Sequence, residues 1–148
     1  PPLLGFIQRP TTVDRHTYQN ILKYKHYSFN LITENFFEKA HQTSARYSKG
    51  QNEFKEVGLT AIHKKELRCP FVGESPLHIA LELDDDIEIK SNQTRLIIGK
   101  VISISIPRTL HNNKYRLDFQ ELKSMSISGL SDYYKLTKVK SLNYAKPQ

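Results

Sequence analysis

The stretch from Leu77 to Asp84 constrains this chain more than any other. Leu77, Ile79, Leu81 and Leu83 take every second position, with His78, Ala80, Glu82 and Asp84 between them. A period of two sends alternate side chains to opposite faces, so the segment reads as a half-buried β-strand. Ile87 to Ile89 continues it, and Ser91-Asn92-Gln93-Thr94 supplies a turn. A second long strand follows from Leu96 to Ile106, with Leu96, Ile98, Ile102, Ile104 and Ile106 on one face. Gly99 inside it marks a bulge or a close backbone approach, and Pro107 closes it. Asp84-Asp85-Asp86 suggests metal at first sight. Neighbouring strand residues face opposite ways, however, so the run reads as a solvated strand end.

The first half is more mixed. Leu3 to Ile7 is a short apolar run suited to a buried strand. A chain that opens so abruptly on a strand leads us to expect further sequence upstream. Asp14 or Thr12 caps a helix from Arg15 to Tyr24, whose Tyr18, Ile21 and Leu22 form one apolar stripe. Tyr27 to Ile32 reads as a strand. Thr33 caps a second helix, Glu34 to Thr43, with Phe36, Phe37 and Ala40 inward. Ser44 to Asn52 is a loop. Asn52 caps a short helix through Val57, which Gly58 ends. Leu59 to Glu74 is irregular. His111-Asn112-Asn113 is a loop, and Ser131 caps a small turn holding Asp132, Tyr133 and Tyr134. Antiparallel strands with early helical insertions describe a mainly β barrel or sandwich. Without βαβ alternation, a doubly wound sheet does not fit. The 148 residues suit a single domain.

Composition narrows the function classes. The lone Cys69 cannot form an intrachain disulfide or supply a cysteine pair for zinc. The six histidines form no i, i+4 pair, so no metal is expected. No Gly-x-Gly-x-x-Gly or Walker loop is present, nor a Gly-x-Ser-x-Gly elbow around Ser75. No apolar run or leader pattern points to a membrane, so a cytoplasmic protein is expected. The net charge of +7 is scattered, which fits a solvated basic face better than a nucleic-acid groove.

Arg9 to Ile21 is the stretch with chemistry in it. A strand gives way to a helix there, among two arginines, a histidine and several hydroxyls. A helix start offers free N–H groups and the positive end of the macrodipole, which favours an anion such as phosphate. An ordinary capped helix start is the plainer alternative. Ser126 to Tyr134 poses a similar choice. Its small residues and paired tyrosines suit a flat ligand, or Tyr133 and Tyr134 simply pack, one in and one out.

In order and spacing these pieces resemble the flavin reductase-like family, whose fold is the FMN-binding split barrel, an antiparallel Greek-key-like barrel. Pro1-Pro2-Leu3-Leu4 is similar to its Asn-Pro-Pro-Leu strand. Arg15-His16-Thr17 stands where the family often has Lys-Asp-Thr, and Asn20-Ile21 follows as there. Phe29-Asn30-Leu31, Thr43-Ser44-Ala45, Asn52-Glu53-Phe54, Gly58-Leu59-Thr60, Glu74-Ser75-Pro76 and Gly99-Lys100-Val101 keep the family's order. Ser128-Gly129-Leu130 with Tyr133-Tyr134, and Tyr144-Ala145-Lys146-Pro147, look like one branch of it. The resemblance implies binding of FMN, or alternatively FAD, in a homodimer, with hydride transfer from NAD(P)H to flavin. Arg9, Arg15, His16, Thr17 and Tyr134 become the cofactor-binding residues it implies; no catalytic residue follows. The family's upstream Asn-Leu-x-Pro-Phe-Ser-like stretch is not in this sequence. His16 replaces the family's Asp. Ser105 stands where better-studied reductases often carry histidine, which keeps open a flavin-binding or electron-transfer protein without reductase activity.

Overall fold

The computed structural model describes residues 1–10, 14–107 and 117–147. Its spine is the antiparallel pair β5 (His78–Ile89) and β6 (Thr94–Ser105), both twelve residues long. The alternation of Leu77 to Leu83 and the turn at Asn92 produce this hairpin. Asn92 Oδ1 accepts from the Thr94 amide at 3.1 Å and its hydroxyl at 2.7 Å. β1 (Leu3–Gln8) pairs with β6, and β2 (His26–Asn30) with β5, giving an antiparallel sheet ordered β1-β6-β5-β2.

Helix α1 (His16–Tyr24) lies across one face. Its Ile21 meets Tyr27, Leu81 and Ile97 in a buried cluster, with Phe6, Tyr18, Phe29 and Leu83 packed around it. Burying one such aliphatic side chain is worth about 1.5–3 kcal/mol. The opposite face holds a second cluster, Cys69, Phe71 and Ala80. Two short strands supply its cover, β3 (Ala61–His63) and β4 (Pro70–Val72), within the stretch that reads as irregular in sequence. Three residues are too few to display a period. Side chains of β2 tie the pair down: the Ser28 hydroxyl donates to Pro70 O at 2.7 Å, and Asn30 Oδ1 accepts from the Val72 amide at 3.0 Å.

Several expectations are corrected. The second helix, α2, covers only Phe37–Gln42. Thr33 does not cap it but is buried, bridged to Ser124, because the backbone is drawn into pairing there. Asn52 and Gly58 do bound α3 (Glu53–Val57), Gly58 at φ 66°. The residues expected to turn after Ser131 form strand β8 (Asp132–Lys135), paired with β7 (Met125–Ser128). The expected single stripe on β6 is split. Leu81 pairs with Val101 and Ala80 with Ser103, so a bulge at Ile102 moves Ile104 to the face opposite Leu96 and Ile98. The His111 loop lies outside the described residues.

Gly99 proves to be a close approach. A Cβ there would collide with the Tyr27 hydroxyl and come within 2.9 Å of Leu81 Cδ2. That hydroxyl is buried with no hydrogen-bond partner, and burial pushes the phenol's pKa up. Overpacking a core commonly costs about 1–3 kcal/mol. Gly99→Ala is therefore expected to lower stability by that amount. Tyr27→Phe, which deletes an unpartnered polar group, should leave stability equal or higher. Urea unfolding of both variants and of the double variant, where part of the loss returns, checks this.

Candidate anion-binding site

β1 ends beside the start of α1, and this junction carries Arg9, Arg15, His16 and Thr17 to one cleft. Arg15 is itself the N-cap residue, in extended geometry (φ −120°, ψ 94°), and among the described residues no side chain caps the first turn. This corrects the expected Asp14 cap. The Asp14 carboxylate accepts instead from the Gln19 side-chain amide at 3.1 Å; Thr12 lies outside the described residues. The first backbone bond of the helix is Gln19 N–H to Arg15 O at 3.0 Å. The preceding amides have no intrahelical acceptor, as at any helix start, and donate to none of the described side chains.

The other wall is the loop after α2. Short local bonds shape it: the Ser44 amide donates to His41 O at 2.9 Å, and the Ser48 amide to Gln51 Oε1 at 2.7 Å. It brings Ser44, Arg46, Tyr47 and Lys49 to the same cleft, of about 550 Å³. Four permanent cations therefore line it, Arg9, Arg15, Arg46 and Lys49, beside His16. Asp14 and Glu53 also border it. Among the described residues, none of the four cations is within ion-pair distance of a carboxylate. Arg15 Nε is buried with no partner. A guanidinium left this way, next to uncapped amides, is set to receive an oxyanion.

Arg46 and Lys49 were not singled out from sequence. The signal was there: residues 43–52 carry two cations and no acid. Tyr134 is not brought to this cleft. It sits on β8 with 55% of its surface exposed, while its neighbour Tyr133 packs on Phe37 and His41 at ring distances of 5.2 and 5.8 Å. The pair alternates as a strand requires, one ring in and one out.

Behind the cleft, the Tyr18 hydroxyl donates to Asp86 Oδ2 at 2.7 Å, and Arg95 Nε donates to Asp86 Oδ1 at 2.6 Å. Asp86 is thus half-buried and paired, not a solvated strand end. Burial first, then this hydrogen bond to a carboxylate, raises the Tyr18 pKa, so the phenol remains a donor at neutral pH.

Comparison with known proteins agrees with this architecture. Residues 1–123 match the family described as flavin reductase like domain. A split barrel domain protein from Shewanella frigidimarina NCIMB 400 is 36% identical, with a TM-score of 0.92 over 98% of this chain and 72% of its own. Nitrilotriacetate monooxygenase component B from Bacillus cereus is 24% identical, at TM-score 0.84 over 96% and 72%. An FMN-binding protein from Thermus thermophilus, 18% identical, gives 0.72 over 91% and 70%. The chain belongs to the flavin reductase-like domain family, and its fold is the split barrel. It is accordingly a member of a family of flavin-related oxidoreductases. Among the described residues, no helix is long and apolar enough to cross a membrane.

If the cleft binds oxyanions, inorganic phosphate should raise the melting temperature of the wild-type protein in a concentration-dependent way. Arg15→Ala combined with Arg46→Ala should remove most of that rise. Differential scanning calorimetry at constant ionic strength tests the point; an equal rise in both proteins would rule out the site.

Proposed function

We propose that the protein is an FMN-binding oxidoreductase of flavin reductase type, taking hydride from NAD(P)H to flavin. One observation carries the cofactor reading: among the described residues, four cations without carboxylate partners share a cleft with an uncapped helix start. The donor set fits a phosphate monoester. Arg15 and Arg9 offer guanidinium forks, Thr17 a hydroxyl and the first turn of α1 its amides, with Arg46 and Lys49 facing them across the cleft. Bound flavin would supply the hydride-accepting ring, the protein supplying position and charge. Tyr134 is proposed as a ring contact from its own ribbon, since its exposed face is free to meet one.

The test of the phosphate role compares FMN with riboflavin. Hydrogen bonds to charged groups are worth about 1.5–3 kcal/mol each. Arg15→Ala with Thr17→Ala should weaken FMN by on the order of 100-fold, near 3 kcal/mol, and riboflavin far less. Equal losses for the two ligands would remove the phosphate from this cleft. FAD is the alternative cofactor, and the same titration ranks it.

A second reading, a flavin-binding electron-transfer protein without reductase activity, draws on Ser105. It lies opposite His78 in the β5–β6 ladder, and that histidine is committed to Val72 O at 2.8 Å and to the Phe71 ring. Neither offers a free imidazole to a nicotinamide. Stopped-flow mixing of flavin-loaded protein with NADH and with NADPH separates the readings; bleaching of the flavin band by either is expected.

A homodimer is also proposed. Ile7, Leu96 and Ile87 stand in one row across β1, β6 and β5 on the face away from α1. Ile7 is 53% exposed, Ile87 43% and nearby Leu3 49%. A contiguous apolar face of this kind favours a protein partner, and a second copy is the one we propose. Ile7→Lys with Ile87→Lys should convert a dimer to a monomer in sedimentation velocity, with the fold retained by circular dichroism.

A further inference from the structure

The Tyr18–Asp86–Arg95 cluster lies outside the cleft, yet its position ties it to the cleft's working wall. Its origin is a register fault. Leu83 pairs with Gly99 and Asp85 with Ile98, so Asp84 is an extra residue on β5. Strict alternation from Leu81 and Leu83 would put Asp85 on the face beneath α1. The bulge puts Asp86 there instead, opposite the buried Ile97. A carboxylate on a core-facing row is costly unless paired. Here both oxygens are used: Oδ1 by Arg95 Nε and Oδ2 by the Tyr18 hydroxyl. Arg95 closes the group, with Nη2 donating to Asp86 O at 3.4 Å and its guanidinium 5.8 Å from the Tyr18 ring centroid.

Tyr18 directly follows Thr17 in the first turn of α1. Ile21 fixes the middle of the helix by burial. The first turn lacks a side-chain cap. Among the described residues, Tyr18 to Asp86 is the only side-chain hydrogen bond from α1 to the sheet. Together with the packing of the Tyr18 ring against the core cluster, this bond ties the turn that presents Arg15, His16 and Thr17 to the sheet.

We infer that Tyr18, Asp86 and Arg95 are positioning residues that hold the N-terminal turn of α1 in register with the anion cleft. This rests on the phosphate reading given above. The bulge converts a strand carboxylate into an anchor, and the anchor sets the first-turn amides and the Arg15 guanidinium at one angle to the cleft. Loss of the anchor lets that turn fray while Ile21 keeps the remainder seated.

The experiment uses Tyr18→Phe, which keeps the ring and deletes only the hydroxyl, and Asp86→Asn, which keeps an acceptor but not the charge. In ligand-free protein, amide exchange at residues 16–19 should quicken in Tyr18→Phe, with protection around Ile21 retained. FMN should then bind about tenfold more weakly, and riboflavin within twofold of wild type. Asp86→Asn should fall between wild type and Tyr18→Phe in both readouts. Unchanged first-turn exchange in Tyr18→Phe overturns the inference whatever the flavin result. So does an FMN-to-riboflavin preference that Tyr18→Phe leaves intact. A wild-type protein that shows no preference for FMN over riboflavin instead overturns the phosphate reading, and the role assigned to the anchor falls with it.

Discussion

The β5–β6 ladder is the constraint from which the rest of the molecule takes its place. Each of its faults decides a face. The extra residue at Asp84 keeps Leu81 and Leu83 inward yet turns Asp86, not Asp85, toward α1. The fault at Ile102 ends the outward row of Leu96 and Ile98 and moves Ile104 to the other side. A one-residue slip exchanges every side chain between core and solvent, so these two bulges are settled by packing rather than by local preference. Tyr27 shows how tight that packing is. Its ring reaches across the sheet to Gly99, and only a residue without a Cβ leaves room for it. The helix then docks on the row so defined, through Ile21 and through Tyr18.

That docking explains how legible the protein is in its sequence. The alternation of Leu77 to Leu83 depends on neighbours one and two residues apart, and it survives into the structure as a strand. The bounds of α3 are set by an Asx cap and a left-handed glycine, both local devices, and both are where the sequence puts them. Arg15, His16 and Thr17 are consecutive, so their convergence needs no tertiary knowledge. Arg46 and Lys49 belong to the same cleft only because the loop after α2 is brought to the end of β1 and the start of α1. The acid-free stretch 43–52 marks two loop cations, but only the tertiary fold says which cleft they face. Thr33 fails for the same reason, since its bridge to Ser124 spans the chain and overrides an attractive N-cap position.

The charges of the cleft are also arranged differently from those that pair elsewhere in the fold. Among the described residues, the ion pairs are placed elsewhere: Arg95 with Asp86, Glu34 with Lys123 and Lys135, and Asp118 with Lys138. Glu34's carboxyl is held below its usual range, first by the Lys135 hydrogen bond and then by that of Lys123. The pairs made by these exposed lysines contribute little to stability. The cations of the cleft are treated differently: among the described residues none pairs with Asp14 or Glu53, and Asp14 accepts from Gln19 instead.

Like charges so gathered repel one another, and the folded state bears that cost in the absence of a ligand. Four cations against two carboxylates leave a surplus of two positive charges. A phosphate monoester carries about −1.5 to −2 at neutral pH. The cleft is therefore near charge balance when one such group is bound. A neutral flavin lacking phosphate gains nothing from that balance, and a structural role for the cations would call for carboxylates in contact with them. The charge surplus, the uncapped turn and the buried Arg15 Nε without a partner all support the phosphate reading proposed above.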